Sequence, residues 1–94
     1  MPILDIEAVR SKILEILISG SIDFTNHCRE RMYLRRVQMD DLLFLLHWGD
    51  IEQGQEEDDP DGQVFRIIGT DVEEEPLTAV VKICDNRLIC ITVF

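Results

Sequence analysis

Hydrophobic residues in the first half of the chain recur at the spacing of amphipathic α-helices. Over Asp5–Ile18 the apolar positions return every three or four residues, and Gly20 is a typical residue for a helix end. The same spacing predicts two further helices, over Asn26–Leu34 and Met39–His47. Between the first two helices, Ile22–Phe24 is predicted to be a short extended connector.

The second half of the chain changes to the pattern of β-strands. Segments rich in β-branched and aromatic residues are separated by acidic or polar turns. The predicted strands are Asp50–Gln55, Gln63–Asp71, Leu77–Cys84 and Leu88–Phe94. We therefore expect an α+β fold, in which about three helices precede a four-stranded antiparallel sheet. At 94 residues the chain is predicted to form a single domain, 1–94, with residues 5–18 as its N-terminal helix.

The last two predicted strands carry apolar residues on both of their faces. Leu77 and Ala79 alternate with Val80, and the segment Ile89–Phe94 behaves in the same way. Three helices are enough to cover one face of so small a sheet. We therefore expect the other face to be buried by self-association, as a homo-oligomer, or by a partner protein.

Composition favours a globular protein of the cytoplasm. The chain is 46% hydrophobic and 30% charged, which is typical of a folded domain. No apolar run approaches the length of about 20 residues that spans a bilayer, so we expect no membrane association. The N-terminal residues lack the positive region of a secretory signal. The three cysteines form no short pair, and we interpret them as small buried hydrophobic residues.

Basic residues are concentrated in one short stretch of an acidic chain. The formal net charge is −10, yet His27–Arg36 contains four arginines and a histidine. Residues 51–94 contain three basic residues against eleven acids. Net negative charge opposes long-range attraction to nucleic acid. A phosphate group would therefore have to be recognised at close range by a local basic patch.

Three side chains of that stretch share one face of the predicted second helix. His27, Arg31 and Arg35 are spaced i, i+4 and i+8, and Thr25 is the predicted N-cap before them. A helix N-terminus favours anions and disfavours a protonated imidazole. A neutral His27 could accept a proton from a ribose hydroxyl while arginines stabilise the charge that develops on the phosphate.

Simpler interpretations of the same residues stay open. His27 could bind a backbone carbonyl, and Arg31 could pair with Asp71 or Asp23. Arg66, in the middle of a predicted strand, could be solvated or could extend toward the His27 helix and complete an anion pocket. Thr92 is an ordinary strand hydroxyl.

The acidic run Glu56–Asp61 is predicted to be a solvated loop. Its alternatives are divalent-ion binding or masking of the basic stretch. The run lacks the ligand order of a calcium loop. The chain also contains no phosphate-binding loop, no Ser-His-Asp set and no zinc pattern. We therefore predict no metal site and no cofactor.

The order of several motifs resembles the domain of unknown function 4258 family. The motifs are Phe24-Thr25-Asn26-His27, Arg31-Met32, Arg35-Arg36-Val37, Asp41-Leu42, Gly49-Asp50-Ile51, Phe65-Arg66-Ile67-Ile68-Gly69, Leu77-Thr78-Ala79-Val80-Val81 and Ile91-Thr92-Val93-Phe94. The resemblance covers about residues 22–94. Members of this family resemble the BrnT and RelE/ParE toxins, small α+β domains with an antiparallel sheet. The resemblance implies a site containing His27, Arg31 and Arg66, with Thr92 nearby.

Two functions follow as hypotheses. The first is a toxin-like, metal-independent ribonuclease domain with RNA as its substrate. His27 acts as base or acid, Arg31 and Arg66 bind phosphate, and Arg35, Thr25 and Thr92 support them. Some members of the family are encoded beside zinc-finger antitoxins, so an antitoxin protein is the implied partner. The second is a non-catalytic protein-interaction or regulatory domain of the same fold.

Overall fold

The computed structural model describes residues 6–53 and 63–94 of the chain. Its helices are α1 (Ile6–Ser19), α2 (Asn26–Arg35) and α3 (Met39–Trp48). Its strands are β1 (Ser21–Phe24), β2 (Asp50–Gln53), β3 (Gln63–Thr70), β4 (Pro76–Cys84) and β5 (Arg87–Val93). The three predicted helices are confirmed, since each begins and ends within one residue of its predicted bounds. Residues 54–55 of the first predicted strand and the acidic run at 56–61 lie outside the described residues.

The sheet has five strands and is mixed, so the prediction of four antiparallel strands was wrong. The strand order is β1-β5-β4-β3-β2, and β1 runs parallel to β5 while the other pairs are antiparallel. The predicted connector Ile22–Phe24 belongs to β1. Four residues are too few for a two-residue alternation to stand out. In addition, β1 pairs with the last described strand, so its partner cannot be recognised from local sequence.

All three helices pack on one face of the sheet. Ile13 and Ile16 of α1, Cys28 of α2 and Leu45 of α3 belong to the same buried cluster as Phe65 of β3. Buried strand residues alternate with residues that point away from the helices. We call the two sides the helix-covered face and the open face. No helix of the two described ranges packs against the open face.

A row of paired residues crosses the open face from one strand to the next. Glu52 pairs with Arg66, Arg66 with Val80, and Val80 with Thr92. Val80 is only 3% exposed although it does not belong to the core cluster under the helices. A register shift after Val80 leaves Ile91 as an extra residue in β5. Such bulges are common beside functional sites because they redirect neighbouring side chains.

Asp41 connects the start of α3 to the turn between β3 and β4. Its side chain is buried, and its carboxylate accepts hydrogen bonds from the backbone N–H groups of Gln38, at 2.9 Å, and Val72, at 3.2 Å. The first bond occupies a donor that would otherwise be unsatisfied at a helix N-terminus. The second fixes the distant turn against the helix.

We expect Asp41→Ala to lower the free energy of unfolding by about 1–3 kcal/mol, because it leaves two partly buried donors without their acceptor. The measurement is urea unfolding followed by circular dichroism. Asp40→Ala is the matched control, since Asp40 is an exposed acid in the same helical turn. An equal loss in both variants would show that the helix dipole, and not the Asp41 contacts, supplies the stabilisation.

Candidate functional site

The start of α2 is bound to the edge of the sheet. Thr25 is its N-cap, as predicted: the Thr25 hydroxyl oxygen accepts a hydrogen bond from the backbone N–H of Cys28 at 3.0 Å. The same hydroxyl donates to the carbonyl oxygen of Ile91 at 2.8 Å, and the Thr25 N–H donates to that of Cys90 at 3.1 Å. The hydroxyl proton is therefore engaged within the fold, and Thr25 serves mainly to place α2 beside β5.

Arg31 and Thr92 meet at one backbone carbonyl. The Nε–H of Arg31 donates to the carbonyl oxygen of Val93 at 3.2 Å, and the Thr92 hydroxyl lies 3.5 Å from the same oxygen. Arg31 contacts neither of the carboxylates considered from the sequence. Asp23 pairs with Arg87 at 2.6 Å instead. The contact with Val93 uses one N–H of the guanidinium, and the others have no hydrogen-bond partner among the described residues.

Arg66 lies on the open face, between two residues whose side chains enter the core under the helices. It is in the same cross-strand row as Thr92, with Val80 between them. Two strand spacings place the backbones of Arg66 and Thr92 roughly 10 Å apart. The carboxylate of Glu52 lies 3.9 Å from the Arg66 guanidinium. Arg66 and Thr92 therefore lie on the same side of the sheet, the open face. Arg66 does not extend toward the His27 helix through the helix-covered side.

His27 and Arg35 complete the predicted stripe on α2. His27 is exposed and lies one helical turn before Arg31, a spacing that brings their Cβ atoms to roughly 5–6 Å. No hydrogen bond holds the His27 ring to a carbonyl within the part of the chain that the structure describes. The Arg35 guanidinium lies 3.4 Å from the carbonyl oxygen of Pro76, at the start of β4. The stripe therefore follows the sheet edge from β5 toward β4.

The open face collects the basic residues of the second half of the chain. Besides Arg66 it carries Lys82 and Arg87, neither of which the sequence interpretation selected. Both occupy positions that alternate with core residues of the β4–β5 hairpin, and that alternation was the signal available in the sequence. Asp23 and Glu52 pair with two of these cations at the surface.

Of the six predicted site residues, the structure joins Arg31 and Thr92 directly, whereas His27 and Arg66 lie near them without a described contact to that pair. Arg31 and Thr92 share a carbonyl, Arg66 lies in their row, and His27 lies next to Arg31 on α2; we call these four the candidate site. No described contact joins His27 to Arg66. The described residues contain no group of three or more His, Cys, Asp or Glu side chains able to hold a metal ion. Chemistry at this site would rest on imidazole, guanidinium and hydroxyl groups.

We expect Arg31→Met to lower the free energy of unfolding by about 1–2 kcal/mol, because a carbonyl at the edge of β5 loses a charged donor. Methionine keeps the length and the apolar part of the side chain. Arg29→Met is the matched control, since Arg29 is exposed and lies over the ring of Phe24 at 5.6 Å instead of binding the sheet backbone. Thermal unfolding of both variants tests this, and equal losses would contradict a specific role of the Val93 contact.

Three helices on one face of a mixed five-stranded sheet, with a basic stripe along the edge, define a small α+β domain. The model of the family described as "Domain of unknown function (DUF4258)" matches residues 24–94, and the chain belongs to this family. The family prediction from the sequence motifs is thereby confirmed. No curated protein and no solved structure matches the chain. None of the helices within 6–53 and 63–94 is long and apolar enough to cross a membrane.

Proposed function

We propose that this chain is a toxin-like ribonuclease domain that cleaves RNA at the candidate site without a metal ion. The observation that carries the proposal is the meeting of Arg31 and Thr92 at the Val93 carbonyl. Thr92 shares its cross-strand row with Arg66, and Arg31 lies one helical turn from the exposed His27. The expectation that members of this family resemble toxin domains adds weight to it. Such motifs, with their charges at the edge of a sheet, fit recognition of a phosphate at close range.

The proposed reaction transfers an RNA phosphate to its own ribose. The His27 imidazole removes the proton of the 2′-hydroxyl, and the 2′-oxygen then attacks phosphorus. The bond from phosphorus to the 5′-oxygen breaks, and that oxygen takes a proton from water. The hydroxide that remains takes the proton that His27 accepted, so the imidazole returns to its starting state. The products are a 2′,3′-cyclic phosphate and a 5′-hydroxyl end. The free N–H donors of Arg31, with the charge of Arg66, stabilise the non-bridging oxygens as negative charge increases on them.

The test is incubation of the purified chain with a synthetic RNA in a buffer that contains a metal chelator. The expected products are fragments with cyclic phosphate ends, identified by mass spectrometry. A second RNA with one 2′-deoxy nucleotide at the cleavage position should resist cleavage, because the nucleophile is missing. Absence of cleavage of several unrelated RNAs, together with no arrest of growth on expression in a bacterial host, would overturn the proposal.

A second candidate function is non-catalytic protein binding through the open face. The observation that favours it is an exposed apolar residue beside paired charges on that face: Ile68, two residues after Arg66 in β3, lies near the Arg66–Glu52 ion pair. Apolar patches bordered by polar residues are typical of protein interfaces. An antitoxin or a second copy of the chain could occupy this face. Stable binding of a partner that is unaffected by replacement of His27, with no RNA cleavage, would favour this function.

A further inference from the structure

Two cysteine thiols meet in the core between α2 and β5. The Sγ atoms of Cys28 and Cys90 are 3.0 Å apart, and both side chains are fully buried. Both residues are free cysteines, and 62 positions of the chain separate them. A disulfide bond needs a sulfur–sulfur distance of about 2.05 Å, so the two atoms would have to approach by only about 1 Å.

We propose that Cys28 and Cys90 form a reversible disulfide that fixes α2 to β5, and that this pair is a redox-sensitive modification site of the domain. The oxidant is a low-molecular-weight disulfide. One protein thiolate attacks it and releases one small thiol, and the second protein thiol displaces the other. One sulfur–sulfur bond breaks and one forms, two electrons pass to the reagent, and the two protons end on the released thiols.

Burial lowers the reactivity of both thiols while α2 is closed over them. Burial raises the pKa of Cys28, but the hydrogen bond with Cys90 and the positive charge of Arg29 act in the opposite direction. For Cys90, burial and the contact with Cys28 both raise the pKa of the thiol. Thiolates are the reactive species, so both thiols react slowly in the closed domain. Because both sulfurs are buried, reaction with the reagent requires local opening of α2.

The position of the pair gives the disulfide a consequence for the candidate site. Cys28 follows His27 directly and precedes Arg31 by one turn, so the crosslink would fix the helix that carries both side chains. Closing a long loop also removes conformational freedom from the unfolded chain. The oxidised domain should therefore unfold at a higher temperature, and its α2 should open less often. This inference does not depend on whether the site cleaves RNA.

The experiment treats the purified chain with oxidised glutathione and measures the intact mass, the crosslinked peptides and the Tm. We expect loss of two hydrogen atoms, a peptide pair joining Cys28 to Cys90, and a rise in Tm of at least about 5 °C that dithiothreitol reverses. Cys84→Ala is the matched control, because Cys84 lies outside the pair and its replacement should leave the crosslink and the rise in Tm unchanged.

The proposal would be overturned by any of three results on the wild-type chain. These are persistence of both thiols after prolonged exposure, stable glutathione adducts without an internal crosslink, or a crosslink that contains Cys84. Cys28→Ala should show no rise in Tm with the oxidant. Since peptide mapping of the wild-type chain decides the question, the test stands even if that variant folds poorly.

Discussion

Replacement of His27 by alanine is expected to lower the rate of RNA cleavage by about 10²–10⁴-fold, the usual contribution of a general base. His27 is exposed on the first turn of α2, and its ring makes no hydrogen bond with another described residue. Its removal should therefore leave the fold intact while it removes the proton acceptor. The measurement is the initial cleavage rate of a synthetic RNA, with circular dichroism to show that the variant is folded.

His47→Ala is the matched control for that experiment. His47 is the other histidine of the chain, is also exposed, and lies in the last turn of α3, where its ring contacts Trp48 at a centroid distance of 5.1 Å. Its replacement should leave the cleavage rate unchanged. If the His27→Ala variant cleaves RNA as fast as the wild-type chain, His27 is not the general base. Equal losses in both variants would point to a general effect of histidine removal.

Phe65→Ala should cause a large loss of stability, about 3–5 kcal/mol. Phe65 is 2% exposed, is among the largest fully buried side chains of the described core, and packs under the helix layer from β3. The substitution removes buried apolar surface and leaves a cavity under the helices. Because small domains are stabilised by only about 5–15 kcal/mol, the variant should be partly unfolded at moderate temperature.

Equilibrium unfolding in urea measures this effect, with Phe94→Ala as the matched control. Phe94 is 46% exposed and follows the end of β5, so its truncation should cost much less. Similar losses for the two phenylalanines would mean that the hydrophobic core is not centred under β3. A smaller loss in Phe65→Ala than in Phe94→Ala would contradict the burial pattern of the sheet.

The helices could be predicted from the sequence because their signals are local. Apolar spacing, the Thr25 cap and acids in the first turn of α3 all lie within the elements that they define. Strand β1 could not be predicted in this way, because Ser21–Phe24 forms a strand by pairing with Arg87–Cys90, which is distant in the sequence. Nothing near β1 in the sequence specifies that partner. The mixed sheet is therefore a product of contacts between the two ends of the chain.

The candidate site shows the same division. The stripe of His27, Arg31 and Arg35 followed from helical periodicity, and their common side of α2 was predictable. The hydrogen-bond acceptor of the Arg31 guanidinium could not be predicted, since it is a backbone carbonyl of β5 and not a carboxylate. The pairing of Cys28 with Cys90 was also hidden, because odd cysteine numbers and wide spacing carry no signal for a contact inside a core.

The way in which α2 follows β1 along β5 also determines which edges of the sheet another strand can join. Where β1 ends, the carbonyls of Ile91 and Val93 accept hydrogen bonds from the side chains of Thr25 and Arg31 instead of a neighbouring strand. An incoming strand would have to displace a helix to pair there. Side-chain donors thus protect this half of the edge against uncontrolled strand addition, the usual route from an open sheet to aggregation.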